Sequence, residues 1–195
     1  DALRSSLASL LPDAVTTEFP AWETLPHERL SPSVETVGRR AAALRVLRDH
    51  GGDDPLIIVA SDRAALQPNS PHAVNARSIQ LRAGEVSIPL EEVSRGLVDL
   101  AYTRVDMVTR RGEFAVRGGI LDVFSATEDR ATRIDFFGDE IESMRWFSTF
   151  TQRSLGQAES IELAPAAELD ADHREMAELT IAEARENETD IDLTE

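Results

Sequence analysis

The side chains that most often carry out catalysis or bind metals are sparse and scattered in this sequence. It contains no cysteine and only four histidines, which fall in four different predicted elements: His27, His50, His72 and His173. No two histidines have the i, i+4 spacing that places two metal ligands on one helix face. No serine lies in a Gly-x-Ser-x-Gly turn. The sequence therefore predicts neither a catalytic residue nor a metal site.

The basic residues narrow the possible chemistry further. All 20 are arginines, and 36 acidic residues bring the net charge to −16. A chain without lysine has no Walker A lysine to reach the phosphates of ATP, so we expect no cofactor, including ATP and Mg²⁺, to bind to this chain. The acidic balance argues against general nucleic-acid binding. No apolar run is long enough to cross a membrane.

Two motifs have the residue types of a ligand site without its spacing. Arg117-Gly118-Gly119 has the glycines of a phosphate-binding loop, but it lies between two predicted strands and not before a helix. A hairpin turn is favoured there, with anion binding as the alternative. Four acids near residue 140 lack the spacing of a calcium loop and favour a solvent-exposed strand face: Asp135, Asp139, Glu140 and Glu142.

The first 78 residues alternate between helical and strand patterns. Leucines at helical spacing open the chain, and a β-prone run follows at residues 14–19. Ser31 and Pro32 predict a helix start with a serine cap and a proline in the first turn. The apolar run Leu56–Ala60 predicts a strand buried on both faces of a parallel sheet, and Ser61-Asp62 begins a short helix. We expect a partial α/β domain over residues 1–78.

The pattern changes to period two after residue 101, with glycines between the strands. A helix is predicted from Pro89 to Ala101. Strands are predicted at Arg77–Leu81, Thr103–Thr109, Glu113–Arg117, Gly119–Phe124, Thr132–Phe137, Glu140–Phe147 and Ser160–Leu163. We expect a β-rich α+β domain with a largely antiparallel sheet over residues 79–164. Residues 165–195 predict an acidic helix, from Ala167 to Glu186, and a frayed tail.

Arginines in the β-rich domain are the best candidates for a functional site. Arginine beside an exposed aromatic ring is the usual composition of a protein-binding hot spot. Strand alternation places Arg133, Asp135 and Phe137 on one face, while Ile134 and Phe136 share the other face and can pack inward. The sequence thus predicts an outward stripe of arginine, aspartate and phenylalanine, which is either an interface or scattered surface residues.

Three stretches resemble the UvrA-interaction domain of UvrB-like proteins: YTRVDMV at 102–108, RGEFAVRGGILDVF at 111–124 and RIDFFGDEIE at 133–142. Two further stretches resemble the bacterial transcription-repair coupling factors within that group: WETLPHERLSP at 22–32 and TQRSL at 151–155. The resemblance implies the end of a degenerate, helicase-like domain 1a (1–78), a domain 2 (79–164) and the start of a domain 1b (165–195).

The resemblance also implies a function. Domain 2 of this family docks the excision-repair protein UvrA, and its docking residues match Arg117, Arg133 and Phe137, with Arg104 and Arg111 as weaker candidates. The parent protein would recognise RNA polymerase stalled at DNA lesions and displace it by ATP-dependent translocation on double-stranded DNA, in the bacterial cytoplasm. We expect the chain itself to be monomeric and not to be an enzyme. The alternatives are UvrB, a subunit of the excision nuclease, and an ATP- or DNA-dependent enzyme domain.

Overall fold

The computed structural model describes residues 2–24, 31–69, 77–85 and 88–168. The described helices are α1 (Ala2–Leu10), α2 (Val34–Asp49), α3 (Asp62–Leu66) and α4 (Leu90–Asp99). The strands are β1 (Val15–Phe19), β2 (Leu56–Ala60), β3 (Ile79–Arg82), β4 (Thr103–Arg104), β5 (Glu113–Arg117), β6 (Ile120–Val123), β7 (Ala131–Phe137), β8 (Glu140–Phe147), β9 (Ser154–Gln157) and β10 (Ser160–Leu163). The predicted acidic helix and tail lie outside the described residues, apart from Ala167 and Glu168.

The first part of the chain forms the predicted α/β unit. Strands β1 and β2 pair in parallel, from Val15 opposite Leu56 to Phe19 opposite Ala60. Phe19 packs against Ala43 of α2 and Ala64 of α3 in a small apolar cluster. The prediction that β2 is buried on both faces is wrong, because each of its residues is half-buried or exposed. The described sheet has only two strands, so β2 has one strand neighbour and not the two of a central strand.

Helix α2 begins two residues later than predicted. Its N-cap is Ser33, whose Oγ accepts a hydrogen bond from the backbone N–H of Thr36 at 3.2 Å, so Ser31 and Pro32 precede the helix. Glu23 fixes this turn, because its carboxylate accepts from the hydroxyls of both Ser33 (2.6 Å) and Thr36. The connector before the helix therefore supplies part of its cap.

Arg40 is a fully buried cation in the middle of α2. Its guanidinium contacts two aromatic rings, 4.2 Å from the ring centroid of Phe19 and 4.8 Å from that of Trp22. Its three shortest hydrogen bonds go to acceptors from separate parts of the chain: the Pro20 carbonyl (3.0 Å), the Asn69 side chain (2.8 Å) and the Glu168 carboxylate (2.8 Å). Arg40 thus joins α2 to the residues that precede and follow the β-rich part.

A six-stranded sheet dominates the second part, in the sequential order β4-β5-β6-β7-β8-β9. Its strands pair antiparallel except for β4 with β5, which are parallel. Helix α4 covers one face and buries Val93 and Leu97 against apolar residues that include Phe114, Leu121 and Ile134. A smaller cluster on the other face joins Val108, Ala115, Ala131 and Phe147. The fold class predicted from the sequence, mixed α/β with parallel and antiparallel sheets, is confirmed.

The strand bounds agree closely with the sequence prediction at β5, β8 and β10, but the strand predicted over Thr103–Thr109 ends at Arg104. The carboxylate of Glu113 accepts from the backbone N–H groups of Thr109 (2.8 Å) and Arg110 (2.9 Å), which folds this segment into a turn. Although burial favours the protonated acid, these bonds outweigh it and lower the pKa of Glu113. The sequence also missed β9, which is mostly exposed.

The two ends of the β-rich part meet in a separate two-stranded sheet. Strands β3 and β10 pair antiparallel, with Ile79 opposite Leu163. Arg45 of α2 contacts the chain where it enters and where it leaves the β-rich part, because it donates to Ser78 Oγ at 2.5 Å and forms an ion pair with Glu162. The predicted domain boundaries at 78/79 and 164/165 stay predictions.

The turn between β5 and β6 provides a test of this architecture. A Cβ at Gly119 would lie 2.7 Å from the carbonyl oxygen of Phe136 on β7, and a backbone atom cannot rotate away. We expect Gly119→Ala to lower the free energy of unfolding by about 1 to 3 kcal/mol, measured by chemical denaturation. Gly51→Ala is the control, because nothing lies within 4 Å of its Cβ position. Equal stability of the two variants would contradict the close approach of the β5–β6 turn to β7.

Candidate protein-docking face

Two consecutive hairpins bring the predicted site residues together on one face of the large sheet. Across β6 and β7, Asp122 lies opposite Arg133, and across β7 and β8, Arg133 lies opposite Arg145. Arg117 ends β5, on the same side of the sheet as Asp122. We call this surface the docking face; its residues are Arg117, Asp122, Arg133, Asp135, Phe137 and Arg145.

Asp122 is the buried centre of the docking face, with only 1% of its surface exposed. Its two carboxylate oxygens accept from Arg133, at 2.6 Å from Nε and 2.7 Å from Nη2. Arg117 Nη2 donates to the same carboxylate at 2.8 Å. These hydrogen bonds raise the pKa of the Arg133 guanidinium, so the cation is held in its charged form by a buried anion.

Asp135 neutralises the charge of Arg145, the arginine opposite Arg133. Arg133 and Arg145 are directly opposite in the sheet, a like-charge arrangement that by itself destabilises strand pairing. Asp135 lies 3.0 Å from Arg145 and also accepts from the Ser143 hydroxyl at 2.6 Å. Each arginine of the opposed pair therefore has its own carboxylate.

Phe137 is the exposed aromatic residue of the docking face. Its neighbour Phe136 packs against the main core, whereas 79% of the Phe137 surface is exposed. It ends β7 opposite Glu140, with a two-residue turn between them in which Gly138 has a φ of +63°. The register shifts beside Asp135, yet Phe137 keeps the orientation predicted from strand alternation. The outward stripe of Arg133, Asp135 and Phe137 is therefore confirmed as a structural feature.

The two weaker candidates lie in different places. Arg104 is exposed and lines a shallow groove together with Arg117, but it pairs with Phe114, whose ring packs in the core on the other face of the sheet. Arg111 is tied to other parts of the chain: it pairs with Glu35 of α2 (3.4 Å) and Asp129 (3.2 Å) and lies over the ring of Phe124. These contacts all lie outside the docking face, which indicates a structural role.

The sequence did not predict Asp122, the residue that joins Arg117 and Arg133. The signal available was a single aspartate among the apolar residues of the strand Ile120–Val123. An acid at such a position requires a cationic partner, but the register that supplies Arg117 and Arg133 is visible only in the folded sheet.

The described residues contain no group of three or more acidic, histidine or cysteine side chains that could hold a metal ion. In the same residues, no helix is long and apolar enough to span a membrane.

Known proteins share the sequence of this part of the chain. Residues 79–169 match the family model of the UvrB interaction domain. The chain is 51% identical over 160 residues to the transcription-repair-coupling factors of Mycobacterium bovis and Mycobacterium tuberculosis, which covers 80% of this chain and 13% of each factor. It is 36% identical over 122 residues to UvrABC system protein B of Mycobacterium tuberculosis, covering 63% of this chain and 17% of that protein.

The chain therefore belongs to the family of proteins that carry a UvrB interaction domain. Within this family it belongs with the transcription-repair-coupling factors, to which its similarity is greater and longer than to UvrABC system protein B. The chain spans only about one eighth of the length of the coupling factors it matches.

Asp122 also governs the stability of this face. Replacing it with alanine leaves two arginines without their shared anion, although both can still reach water. We expect Asp122→Ala to lower the free energy of unfolding by about 1 to 3 kcal/mol. Asp129→Ala is the control, because Asp129 is exposed and makes one ion pair with Arg111; its effect should stay within about 0.5 kcal/mol. Equal effects of the two substitutions in thermal denaturation would contradict this assignment.

Proposed function

We propose that this chain is the module of a transcription-repair coupling factor that docks the excision-repair protein UvrA. The observation that carries the proposal is the exposed ring of Phe137 on a face where arginines are held by buried or half-buried acids. This face lies within the segment that matches the UvrB interaction domain.

The chemistry of the face defines what the partner must offer. An exposed phenylalanine on a rigid hairpin fits an apolar pocket, where burial of the ring supplies most of its contribution. Arg117, whose side chain is 56% exposed, suits a carboxylate at the rim of that pocket. Residues 101–153 hold eight arginines and nine acids, a near balance that suits a protein partner better than a phosphate backbone.

The activity of the whole protein is a wider proposal, because this chain covers only a small share of the matched factors. We propose that the parent protein is an ATP-dependent translocase on double-stranded DNA that displaces stalled RNA polymerase in the bacterial cytoplasm. The motor would lie in other parts of that protein. In this arrangement the present chain contributes recruitment of the repair machinery.

UvrB is the second candidate, because the chain is also similar to UvrABC system protein B, at 36% identity over 122 residues. Docking of UvrA is common to both candidates, so the face described above serves either one. The coupling factor remains preferred because its similarity extends over 160 residues of the chain, against 122 for UvrB.

We further propose that the chain acts by binding and not by catalysis. It contains no lysine, so it has no Walker A lysine to contact ATP phosphates. We expect no ATP turnover above a buffer blank, with or without DNA, in a coupled phosphate-release assay. Turnover that rises in proportion to the chain concentration would instead support an ATP- or DNA-dependent enzyme domain.

Phe137 provides the direct test of docking. We expect Phe137→Ala to weaken binding of UvrA by about 1 to 3 kcal/mol, since an exposed aromatic anchor is lost, as measured by calorimetric titration. Phe150→Ala is the matched control, because Phe150 is 94% exposed but lies in the turn between β8 and β9. Equal affinities of the unaltered chain and Phe137→Ala would refute the docking face. A loss of affinity limited to Phe150→Ala would place the UvrA-binding surface near the turn between β8 and β9 instead.

A further inference from the structure

The docking face contains a carboxylate that cannot itself touch a partner. Asp122 is 1% exposed and lies beneath the two arginines that bind it. Any part that it plays in recognition must therefore act through Arg117 and Arg133. In this respect Asp122 differs from Arg117 and Phe137, which are exposed and can contact a partner directly.

Asp122 fixes the orientation of Arg133. The two parallel hydrogen bonds from Nε and Nη2, at 2.6 and 2.7 Å, hold the plane of the guanidinium as well as its position. The ring of Phe147 lies 4.9 Å from the same guanidinium and supports it from another side. A guanidinium has five N–H groups, so Asp122 occupies two of them and three can donate to other acceptors.

Arg117 is held more lightly by the same carboxylate. It makes one bond to Asp122, at 2.8 Å, and its side chain is 56% exposed, against 22% for Arg133. Four of its five N–H groups are not used by Asp122. The position of Arg117 is therefore restricted, while most of its N–H groups can still donate hydrogen bonds to a partner.

Such restraint favours binding because long side chains lose rotamer freedom when they bind a partner. An arginine that is already held in one geometry loses less conformational entropy on association. The restraint comes from a buried group on a central strand of the sheet, and not from the partner. Both arginines would thus be in place before the partner arrives.

We propose that Asp122 is a positioning residue for UvrA docking, which it supports by fixing Arg117 and Arg133 at the surface. This inference rests on the proposed function. The affinity for UvrA would then depend on Asp122, although Asp122 does not touch UvrA. This dependence would act only through Arg117 and Arg133.

The test is a cycle of substitutions in the chain, titrated with UvrA in a calorimeter. Asp122→Asn keeps the shape of the side chain and removes its charge; we expect it to weaken binding about 5- to 100-fold. In a chain that already carries Arg117→Ala and Arg133→Ala, adding Asp122→Asn should change the affinity less than about twofold. The NMR signal of Arg133 Nε–H, expected as a single slowly exchanging peak, should broaden or disappear in Asp122→Asn.

Asp99→Asn is the matched control, because Asp99 is an exposed aspartate at the end of α4, and it should leave the affinity unchanged. Unaltered binding by folded Asp122→Asn would overturn the inference and leave the proposed function standing. An equal loss with and without the two arginines would also overturn it. Absence of binding by the unaltered chain would refute the proposed function first, and this inference with it.

Arg133→Lys keeps the proposal testable if Asp122→Asn does not fold. Lysine retains the positive charge but cannot form two parallel bonds to one carboxylate, so the geometry is lost while the charge stays. We expect this variant to bind UvrA at least about fivefold more weakly. Binding equal to that of the unaltered chain would overturn the inference.

Discussion

A buried anion on a central strand sets the arrangement of the whole docking face. Asp122 lies between β5 and β7 and is closed off from water, so its charge is tolerated only with cations in direct contact. The opposite side of the sheet is filled by apolar core residues, which leaves the docking face as the place for those cations. One buried carboxylate thus holds two arginines side by side at the surface.

The α/β part of the chain meets the same physical constraint with the opposite sign. Arg40 is a buried cation, and it is stabilised by two aromatic rings and by the carboxylate of Glu168. The indole of Trp22 donates to that same carboxylate at 2.7 Å. Both parts of the chain therefore contain a buried ion; the partners of Asp122 lie on the two neighbouring strands, whereas Glu168 is 128 residues from Arg40.

These ions mark the limit of what the sequence could predict. The outward orientation of Phe137 and the inward packing of Phe136 follow from strand alternation alone, and glycines on both sides of Glu113–Arg117 define that strand. The partners of Asp122 depend on the register of three strands, and those of Arg111 depend on how α2 lies against the sheet. The turn after Arg104 depends on a carboxylate at Glu113 that reaches back along the chain. The local sequence pattern does not contain these long-range contacts. It therefore predicted which residues lie at the surface, but not the ion pairs that fix their side chains.

The pairing of β3 with β10 has a mechanical consequence. The chain enters and leaves the β-rich part at the same end of an antiparallel pair, beside Ile79 and Leu163. Tension that separates the flanking segments would load these backbone hydrogen bonds one after another, as in a zipper, and not all at once in shear. Arg45 lies at that end and holds both Ser78 and Glu162. A single guanidinium on α2 therefore joins the two segments at the end of the β3–β10 pair where such tension would act first.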